Sequence, residues 1–194
     1  MIRCYTRSSS TFTSFREKML SYIEEDKSNH DLSVPIPVED PGLLATHRIT
    51  DALIGNLSSP AERPYFELVK SYIRPALEDY ASLYPKPTTM LISNLWWTEY
   101  STHGSFDWHT HEGNNLVATI MLHIEDPLDI TQIHNRDLPN ADNGSILVFP
   151  ASVPHRGRPT IGKKKIILGM NLNVACNQIT DSYKNKWGKN SHDR

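Results

Sequence analysis

Two histidines separated by one residue, His109 and His111, close a short segment that predicts a β-strand. Side chains at positions i and i+2 of a strand project from the same face, so both imidazoles can reach one ion without a bend in the backbone. Imidazole is a good ligand for Fe(II), zinc, copper and nickel. Such a pair also occurs among ordinary surface and core histidines, so the spacing alone does not establish a metal site.

A third histidine, His155, follows the apolar segment 145–149 across a turn bounded by prolines. Three protein ligands on one side of an ion leave positions open for a substrate or for oxygen, which is typical of a catalytic metal site. Taken alone, His155 is more simply a polar residue on a turn. Together, His109, His111 and His155 predict a catalytic metal centre.

The elements that must position these histidines lie after Pro87, where the composition changes. Short runs rich in β-branched and aromatic residues alternate there with clusters of Gly, Asn, Asp and Pro, which predicts strands. Because no helix-length connection lies between the runs, an antiparallel barrel or sandwich is favoured over parallel βαβ units. The predicted strands are residues 88–100, 105–109, 116–124, 130–134, 145–149 and 164–174.

The N-terminal half shows helical periodicity in two places. Apolar residues at helical spacing predict one amphipathic helix over 10–25 and further helix over 61–84, where Pro75 indicates two helices or one kinked helix. Three prolines make 32–44 a connecting loop, and 183–194 resembles a solvated or disordered end. We expect one domain over 1–194, with 1–87 as helical support and 88–176 as the β core.

Composition excludes several classes of protein. The chain has 194 residues, with 20 Lys plus Arg against 22 Asp plus Glu and a formal charge of -2, so no overall field attracts nucleic acid or an anionic membrane. Cys4 and Cys176 belong to no CxxC pair, which argues against a thiolate zinc site or a disulfide scaffold. With no targeting segment or membrane-length apolar run, we expect a soluble, cytoplasmic protein.

Two segments resemble the 2-oxoglutarate and Fe(II)-dependent oxygenase superfamily, including its prolyl-hydroxylase-like branches. Residues 100–126, YSTHGSFDWHTHEGNNLVATIMLHIED, resemble the region around the first metal ligand of that superfamily. Residues 144–172, GSILVFPASVPHRGRPTIGKKKIILGMNL, resemble its second half. In the superfamily a strand ending in Phe-Pro precedes a turn, the distal histidine, a proline, a glycine and a basic residue. These places are taken here by His155, Pro159, Gly162 and Lys165.

The resemblance implies a mainly β fold, the double-stranded β-helix or jelly roll, with helices packed on one face. It implies Fe(II) held by His109 as first ligand, His111 in the place of the usual carboxylate and His155 as distal histidine. It also implies an oxygenase that uses O₂ and 2-oxoglutarate, releases succinate and CO₂, and hydroxylates a small molecule or a protein side chain. The prime substrate is not identified by any motif.

The resemblance further assigns contacts for 2-oxoglutarate. Lys165 takes the place of the cation that pairs with its distal carboxylate, and Tyr100 and Thr119 are candidate hydroxyl donors to the same group. A cation is physically required, because a carboxylate that enters a barrel loses its hydration and must regain it through a charge-assisted contact. Arg158 is the competing cation, but strand parity and the superfamily spacing favour Lys165.

The superfamily usually shows HxD or HxE where this chain has His109-Thr110-His111. Some branches carry HxH, and His111 ranks first as second ligand because it keeps the superfamily's spacing. Asp107, which shares a face with His109 in a regular strand, ranks second, and Glu112 ranks third.

Two rival functions remain open. A cupin-type dioxygenase with three histidines and no 2-oxoglutarate would share HxH and the G-x5-P-x4-H run of 144–155, although the expected glutamate after HxH is absent. A non-catalytic β-barrel binding module is the other. Three further histidines and three tryptophans are expected to be ordinary core or rim residues, although His123 could line the pocket. These are His103, His123, His134, Trp96, Trp97 and Trp108.

Overall fold

The computed structural model describes residues 1–29, 47–49, 60–136, 138 and 141–176. Helix α1 (Ser9–Asn29) covers the predicted segment 10–25. It buries Phe15, Met19 and Ile23, spaced four residues apart and therefore on one face. The predicted loop 32–44 and the predicted tail 183–194 lie outside the described residues.

Helix α2 (Phe66–Ala81) is one continuous helix with Pro75 inside it, so the alternative of two helices is wrong. A short 3₁₀ turn, Pro60–Glu62, precedes it. An interior proline removes one backbone hydrogen bond and crowds the preceding turn. Here Val69, Ile73 and Tyr80 are all buried, and this packing stabilises the helix across the proline.

The strands form two antiparallel sheets. The larger has the order β1-β7-β5-β9-β3-β2, and the smaller has the order β4-β8-β6. The strands are β1 (Arg3–Tyr5), β2 (His47–Ile49), β3 (Thr88–Ser101), β4 (Phe106–His109), β5 (Leu116–Ile124), β6 (Thr131–Ile133), β7 (Ile146–Pro150), β8 (His155–Gly157) and β9 (Lys164–Cys176).

All six predicted strands are present, with ends that differ by at most two residues. The three strands that the sequence did not predict, β1, β2 and β8, are each three residues long. A strand of this length shows no clear alternation, so its pairing partner decides whether it forms.

The larger sheet has a different partner on each face. Leu116, Ala118, Ile120 and Leu122 of β5 pack with the buried residues of both helices. Val117 and other residues of the opposite parity form a second cluster with side chains of β6, β7 and β9. Two facing antiparallel sheets with helices on one outer face make a double-stranded β-helix, which confirms the expected fold class.

Two strands of the larger sheet contain a β-bulge. One lies between Ile92 and Asn94 in β3, and the other lies between Met121 and His123 in β5. A bulge adds one residue to one strand and so changes which side chains face inward. Among the described residues, no helix combines the length and apolar character needed to span a membrane.

Candidate metal centre

The three predicted histidines lie together between the two sheets. His109 ends β4 and stands opposite His155, the first residue of β8, as a cross-strand pair. His111 lies just beyond β4, where its backbone N–H donates to the carbonyl of Ala151 at 3.0 Å. Their ligand-capable nitrogens all lie within 4.8 Å of one another. Antiparallel pairing of two short strands therefore brings together residues 46 positions apart in the sequence.

Hydrogen bonds to backbone carbonyls select the tautomer of two of these rings. His109 Nδ1 lies 2.7 Å from the carbonyl oxygen of Asp107, and His155 Nδ1 lies 3.1 Å from that of Val153. Since a carbonyl oxygen only accepts, Nδ1 carries the proton in each ring and donates it. Nε2 then keeps its lone pair, the arrangement usual for metal-ligating histidines.

The spacing of the rings suits a shared ion. Nε2 of His111 lies 3.2 Å from Nε2 of His155. Two imidazole nitrogens at about 2.1 Å from one ion are separated by about 3.0 to 3.4 Å for angles between square and tetrahedral. The donor set therefore fits a first-row divalent metal without rearrangement of these two rings.

The environment keeps the three imidazoles neutral. The pKa of His155 is lowered to about 3, mainly by burial and also by the neighbouring His109. Burial, with the same neighbour, lowers the pKa of His111 to about 4. Burial also lowers the pKa of His109, against the opposing effect of Asp107. Neutral imidazole is the form that binds metal, so the site is ready for an ion at neutral pH.

Aromatic side chains hold the rings in place. Phe106 meets His109 edge-on at 4.5 Å between ring centroids, and Phe149 meets His155 edge-on at 4.8 Å. Trp96 stacks on His111 with an interplanar angle of 15°. Gly169, opposite Trp96 on β9, has no Cβ, and a Cβ there would overlap the indole. The indole can therefore lie across the strand towards the histidine.

The two alternative carboxylate ligands lie outside the histidine cluster. Asp107 is exposed, and its Oδ1 accepts from the backbone N–H of Trp108 at 2.6 Å. The register of β4 against β8 shifts between Phe106 and His109, so the regular alternation that would place Asp107 beside His109 does not apply. Glu112 is also exposed and lies at the cavity wall.

A cavity of about 450 Å³ opens onto the three histidines. Lys165, Tyr100 and Thr119, the predicted 2-oxoglutarate contacts, all line it. They come from adjacent strands of the larger sheet, since β9 pairs with both β3 and β5. The competing cation Arg158 lines a different cavity.

Lys165 is a buried cation in the wall of this cavity, with only 1% of its surface exposed. Its Nζ donates to the carbonyl of Arg158 at 2.7 Å and lies 4.2 Å from the centre of the Tyr100 ring. Burial lowers the pKa of the ammonium to about 8, while the charge of Asp129 opposes this shift. A buried ammonium with spare donors favours an anionic ligand.

The hydroxyl of Thr119 is a second polar group available to a ligand. Its Oγ1 is buried and, within the described residues, has no hydrogen-bond partner. Buried hydroxyls are nearly always paired, so an orphaned one in a cavity wall indicates a ligand or an ordered water. Tyr100 is also buried, and burial raises the pKa of its phenol well above the usual range, so the hydroxyl keeps its proton for donation.

Several cavity residues were not predicted as site residues. Asn94 and Asn171 line the cavity, and Asn171 Nδ2 donates to Asn94 Oδ1 at 3.1 Å. Arg63 and Arg156 also line it, as does Trp96, which the sequence indicated only as a core or rim residue. For Asn94 the sequence did offer one signal, a polar residue at an inward position of a strand. The bulge in β3 changes which positions face inward, so simple alternation along the strand does not reveal it.

Three other histidines, His103, His123 and His134, lie outside the cluster. His123 does not line the cavity, contrary to the possibility raised by its strand position. Its Nδ1 lies 2.7 Å from a guanidinium nitrogen of Arg16 on α1, because the adjacent bulge turns it towards the helix. His134 packs against Trp108, and His103 occupies a left-handed turn with φ of 66°.

Comparison with solved structures shows which fold this is. The viral collagen prolyl hydroxylase of Paramecium Bursaria Chlorella virus-1, solved with 2-oxoglutarate, superposes with a TM-score of 0.52 at 12% identity, covering 88% of this chain and 94% of that chain. HygX from Streptomyces hygroscopicus, with nickel, 2-oxoglutarate and hygromycin B bound, gives 0.53 at 14% identity, over 89% and 82%. The chain has the fold of these oxygenases.

A third similar structure, the nickel complex of the non-haem monooxygenase ThoJ, has a TM-score of 0.55 at 11% identity, covering 88% of this chain and 73% of that chain. No family model and no curated protein matches the sequence. At these identities the likeness shows the shared fold, which agrees with the resemblance of residues 100–126 and 144–172 to the superfamily.

Proposed function

We propose that this protein is an Fe(II)- and 2-oxoglutarate-dependent oxygenase that hydroxylates its substrate. The observation that carries the proposal is one cavity holding both a three-histidine cluster and a buried cation, Lys165, that has no direct ion-pair partner among the described residues. The metal cluster alone fits many enzymes, whereas the cation selects an anionic co-substrate. When bound, Fe(II) and 2-oxoglutarate supply the redox chemistry, in which O₂ converts 2-oxoglutarate to succinate and CO₂ and hydroxylates a C–H bond.

The histidines hold the ion in this proposal. His109 and His155 present Nε2 because their Nδ1 protons are engaged by backbone carbonyls, and His111 supplies the third nitrogen. Three neutral ligands leave the full charge of the metal to be balanced by the ligands that occupy the open positions. A bidentate, anionic 2-oxo acid meets that requirement.

The cavity wall binds the far end of the co-substrate. The Lys165 ammonium pairs with the distal carboxylate, and the hydroxyls of Thr119 and Tyr100 donate to the same group. In the protein alone Lys165 Nζ rests on the carbonyl of Arg158, so ligand binding adds a partner to a cation that is already in place. Apolar and aromatic groups such as Phe106 and Phe149 exclude water from the reacting end.

The test is anaerobic addition of Fe(II) and 2-oxoglutarate to metal-free protein. We expect the weak visible charge-transfer band of a bidentate 2-oxo acid complex, followed by succinate release when O₂ is admitted. Iron that binds without giving the band would contradict the proposal. Metal analysis of a His109→Ala, His155→Ala double variant is the control, since metal retained there would lie elsewhere.

A cupin-type dioxygenase without 2-oxoglutarate is the second candidate. The donor set favours it, because the cluster consists of three histidines without a carboxylate. The same experiment separates the two, since the cupin reading predicts tight iron binding with no 2-oxo acid band. The prime substrate, a small molecule or a protein side chain, is to be found by screening for stimulated succinate production. We also propose a reducing cytoplasmic setting, consistent with the exposed free thiol of Cys4.

A further inference from the structure

One fully buried carboxylate, Asp129, has no role in the chemistry described above. It ends the 3₁₀ turn Pro127–Asp129 and is 0% exposed. Its Oδ1 accepts from the backbone N–H of Ile161 at 2.7 Å, and its Oδ2 accepts from that of Gly162 at 3.0 Å. A buried carboxylate is costly unless such hydrogen bonds replace its water, so this one is built into the connection between β8 and β9.

That connection carries the carbonyl on which the Lys165 ammonium rests. Lys165 Nζ donates to Arg158 O at 2.7 Å, three residues before Ile161. Next to Asp129's contacts, Glu125 Oε2 accepts from the backbone N–H of Lys163 at 2.6 Å. The carboxylates of Asp129 and Glu125 thus hold three successive backbone amides of the turn.

The approach of the two segments is close enough to require glycine. A Cβ on Gly162 would lie 2.8 Å from Glu125 Cβ and 3.3 Å from Asp129 Oδ2. The absence of a side chain at Gly162 lets the carboxylate reach the backbone. A close, doubly hydrogen-bonded contact of this kind fixes the turn relative to the cavity wall.

Asp129 also acts on Lys165 through its charge. The two side chains attract each other, and this attraction partly offsets the loss of hydration that the buried ammonium suffers. Among the described residues the ammonium forms no direct ion pair with Asp129 and donates to one carbonyl, that of Arg158, so it keeps donors for a ligand. The carboxylate therefore favours a charged, oriented cation without neutralising it by a direct ion pair.

We propose, on the basis of the proposed function, that Asp129 is a positioning residue of the co-substrate site. It holds the 158–163 turn, and through Arg158 O it holds the Lys165 ammonium where that cation meets the distal carboxylate of 2-oxoglutarate. Asp129 touches neither the co-substrate nor the metal. It sets how strongly the cavity distinguishes a 2-oxo acid that has a distal carboxylate from one that does not.

The experiment compares 2-oxoglutarate with 2-oxobutanoate, which has the same metal-binding end but no distal carboxylate. Affinities are measured anaerobically on Fe(II)-loaded protein by the charge-transfer band, for the unmodified chain, Asp129→Asn and Asp126→Asn. Asp126→Asn is the matched control, since it is the same change three residues away, at a side chain that accepts from the backbone N–H of Leu128 at 2.8 Å rather than from the 158–163 turn. In Asp129→Asn one carboxylate oxygen becomes an NH₂ group that faces a backbone N–H.

We expect Asp129→Asn to bind 2-oxoglutarate about tenfold more weakly, because the contact between the Lys165 ammonium and the distal carboxylate weakens, while 2-oxobutanoate and Fe(II) bind as before. Asp126→Asn should keep the discrimination between the two acids. An Asp129→Asn protein that loses affinity for both acids equally, or for neither, would overturn the assignment of Asp129.

Two further arms make the outcome decisive. If Asp129→Asn does not fold, Gly162→Ala displaces the same turn without removing a charge and should lose the same discrimination; discrimination retained there overturns the proposal. If the unmodified Fe(II)-loaded chain binds both acids equally, the proposed co-substrate is wrong and the inference falls with it. If the unmodified chain prefers 2-oxoglutarate to 2-oxobutanoate and the Asp129→Asn and Gly162→Ala variants show the same preference, the inference alone fails.

Discussion

Replacement of Lys165 by methionine should change stability and co-substrate binding in opposite directions. Methionine keeps an unbranched chain of similar length but has no charge to desolvate. Lys165 is 1% exposed, and its pKa falls from 10.5 to about 8 on folding. At 1.36 kcal/mol for each pH unit, burial of the charged form costs about 3 kcal/mol.

The sign of this effect follows from linkage. Below pH 8 the ammonium is charged in both the folded and unfolded states, so the full cost is present at pH 7. Between about pH 8 and pH 10.5 the folded protein releases the proton first, so the stability of the metal-free protein rises with pH. Lys165→Met should remove this rise. At pH 7 it should stabilise the metal-free protein by about 2 kcal/mol, after about 1 kcal/mol for the lost hydrogen bond to Arg158 O.

The same substitution should weaken 2-oxoglutarate about 10- to 100-fold, because a hydrogen bond to a charged group is worth about 1.5 to 3 kcal/mol. Affinity for Fe(II) should not change. The assays are urea unfolding of metal-free protein at pH 7 and pH 10, and anaerobic titration of the Fe(II) protein with 2-oxoglutarate. Lys164→Met is the matched control, because Lys164 is partly exposed and pairs with Glu99 at 3.1 Å. A Lys165→Met protein that is less stable and binds 2-oxoglutarate normally would refute the reasoning.

Three other predictions concern the same cavity. Thr119→Val removes a buried hydroxyl that has no partner among the described residues, so it should leave the stability of the metal-free protein unchanged or raised and should weaken the binding of 2-oxoglutarate. Urea unfolding and calorimetric titration test this, and a destabilised variant with normal affinity would contradict it. His111→Asp should keep Fe(II) binding and the 2-oxo acid band, whereas His111→Ala should weaken Fe(II) binding at least about tenfold. Metal-competition titration measures both affinities, and equal affinities in the two variants would mean that His111 is not a ligand. Finally, the pKa values of His155 and His111 fall to about 3 and about 4 in the folded protein. The unfolded chain therefore binds more protons than the folded protein below about pH 6.5, and the stability of the metal-free protein should fall as the pH drops from about 6.5 towards 4. Urea midpoints at pH 7 and pH 5 test this, and His155→Gln should show a shallower dependence than the unmodified chain.

Local patterns were sufficient for most of the elements. Residues 116–124 form β5 with the predicted ends, because a long apolar run between polar clusters has few alternatives. Helix α1 was predictable from Phe15, Met19 and Ile23, whose spacing produces a buried face in any helix. The continuity of α2 through Pro75 was not, because tertiary packing there outweighs the local cost of proline.

The candidate site, like the fold, was predictable only in part from local sequence. HxH spacing and the apolar strand before His155 predicted which histidines could meet, since both features depend on short segments. Bulges changed the outcome for neighbouring side chains: the shift in β4 separates Asp107 from His109, and the shift in β5 turns His123 to Arg16. A bulge depends on the pairing of two strands, so neither sequence segment reveals it alone.

The sequence by itself determined the donor chemistry, the β character of the C-terminal half and the presence of a cation on the strand after the distal histidine. These depend on residue type and on spacings within single strands. Only the tertiary structure decided that Lys165 is buried in the wall of the cavity that the three histidines line, and that the Thr119 hydroxyl has no partner among the described residues. It also decided that Asp129 accepts from the turn that carries Arg158 O. The physical reason is that burial and electrostatic environment belong to pairs of segments far apart in the chain, and the packing of the two sheets creates them.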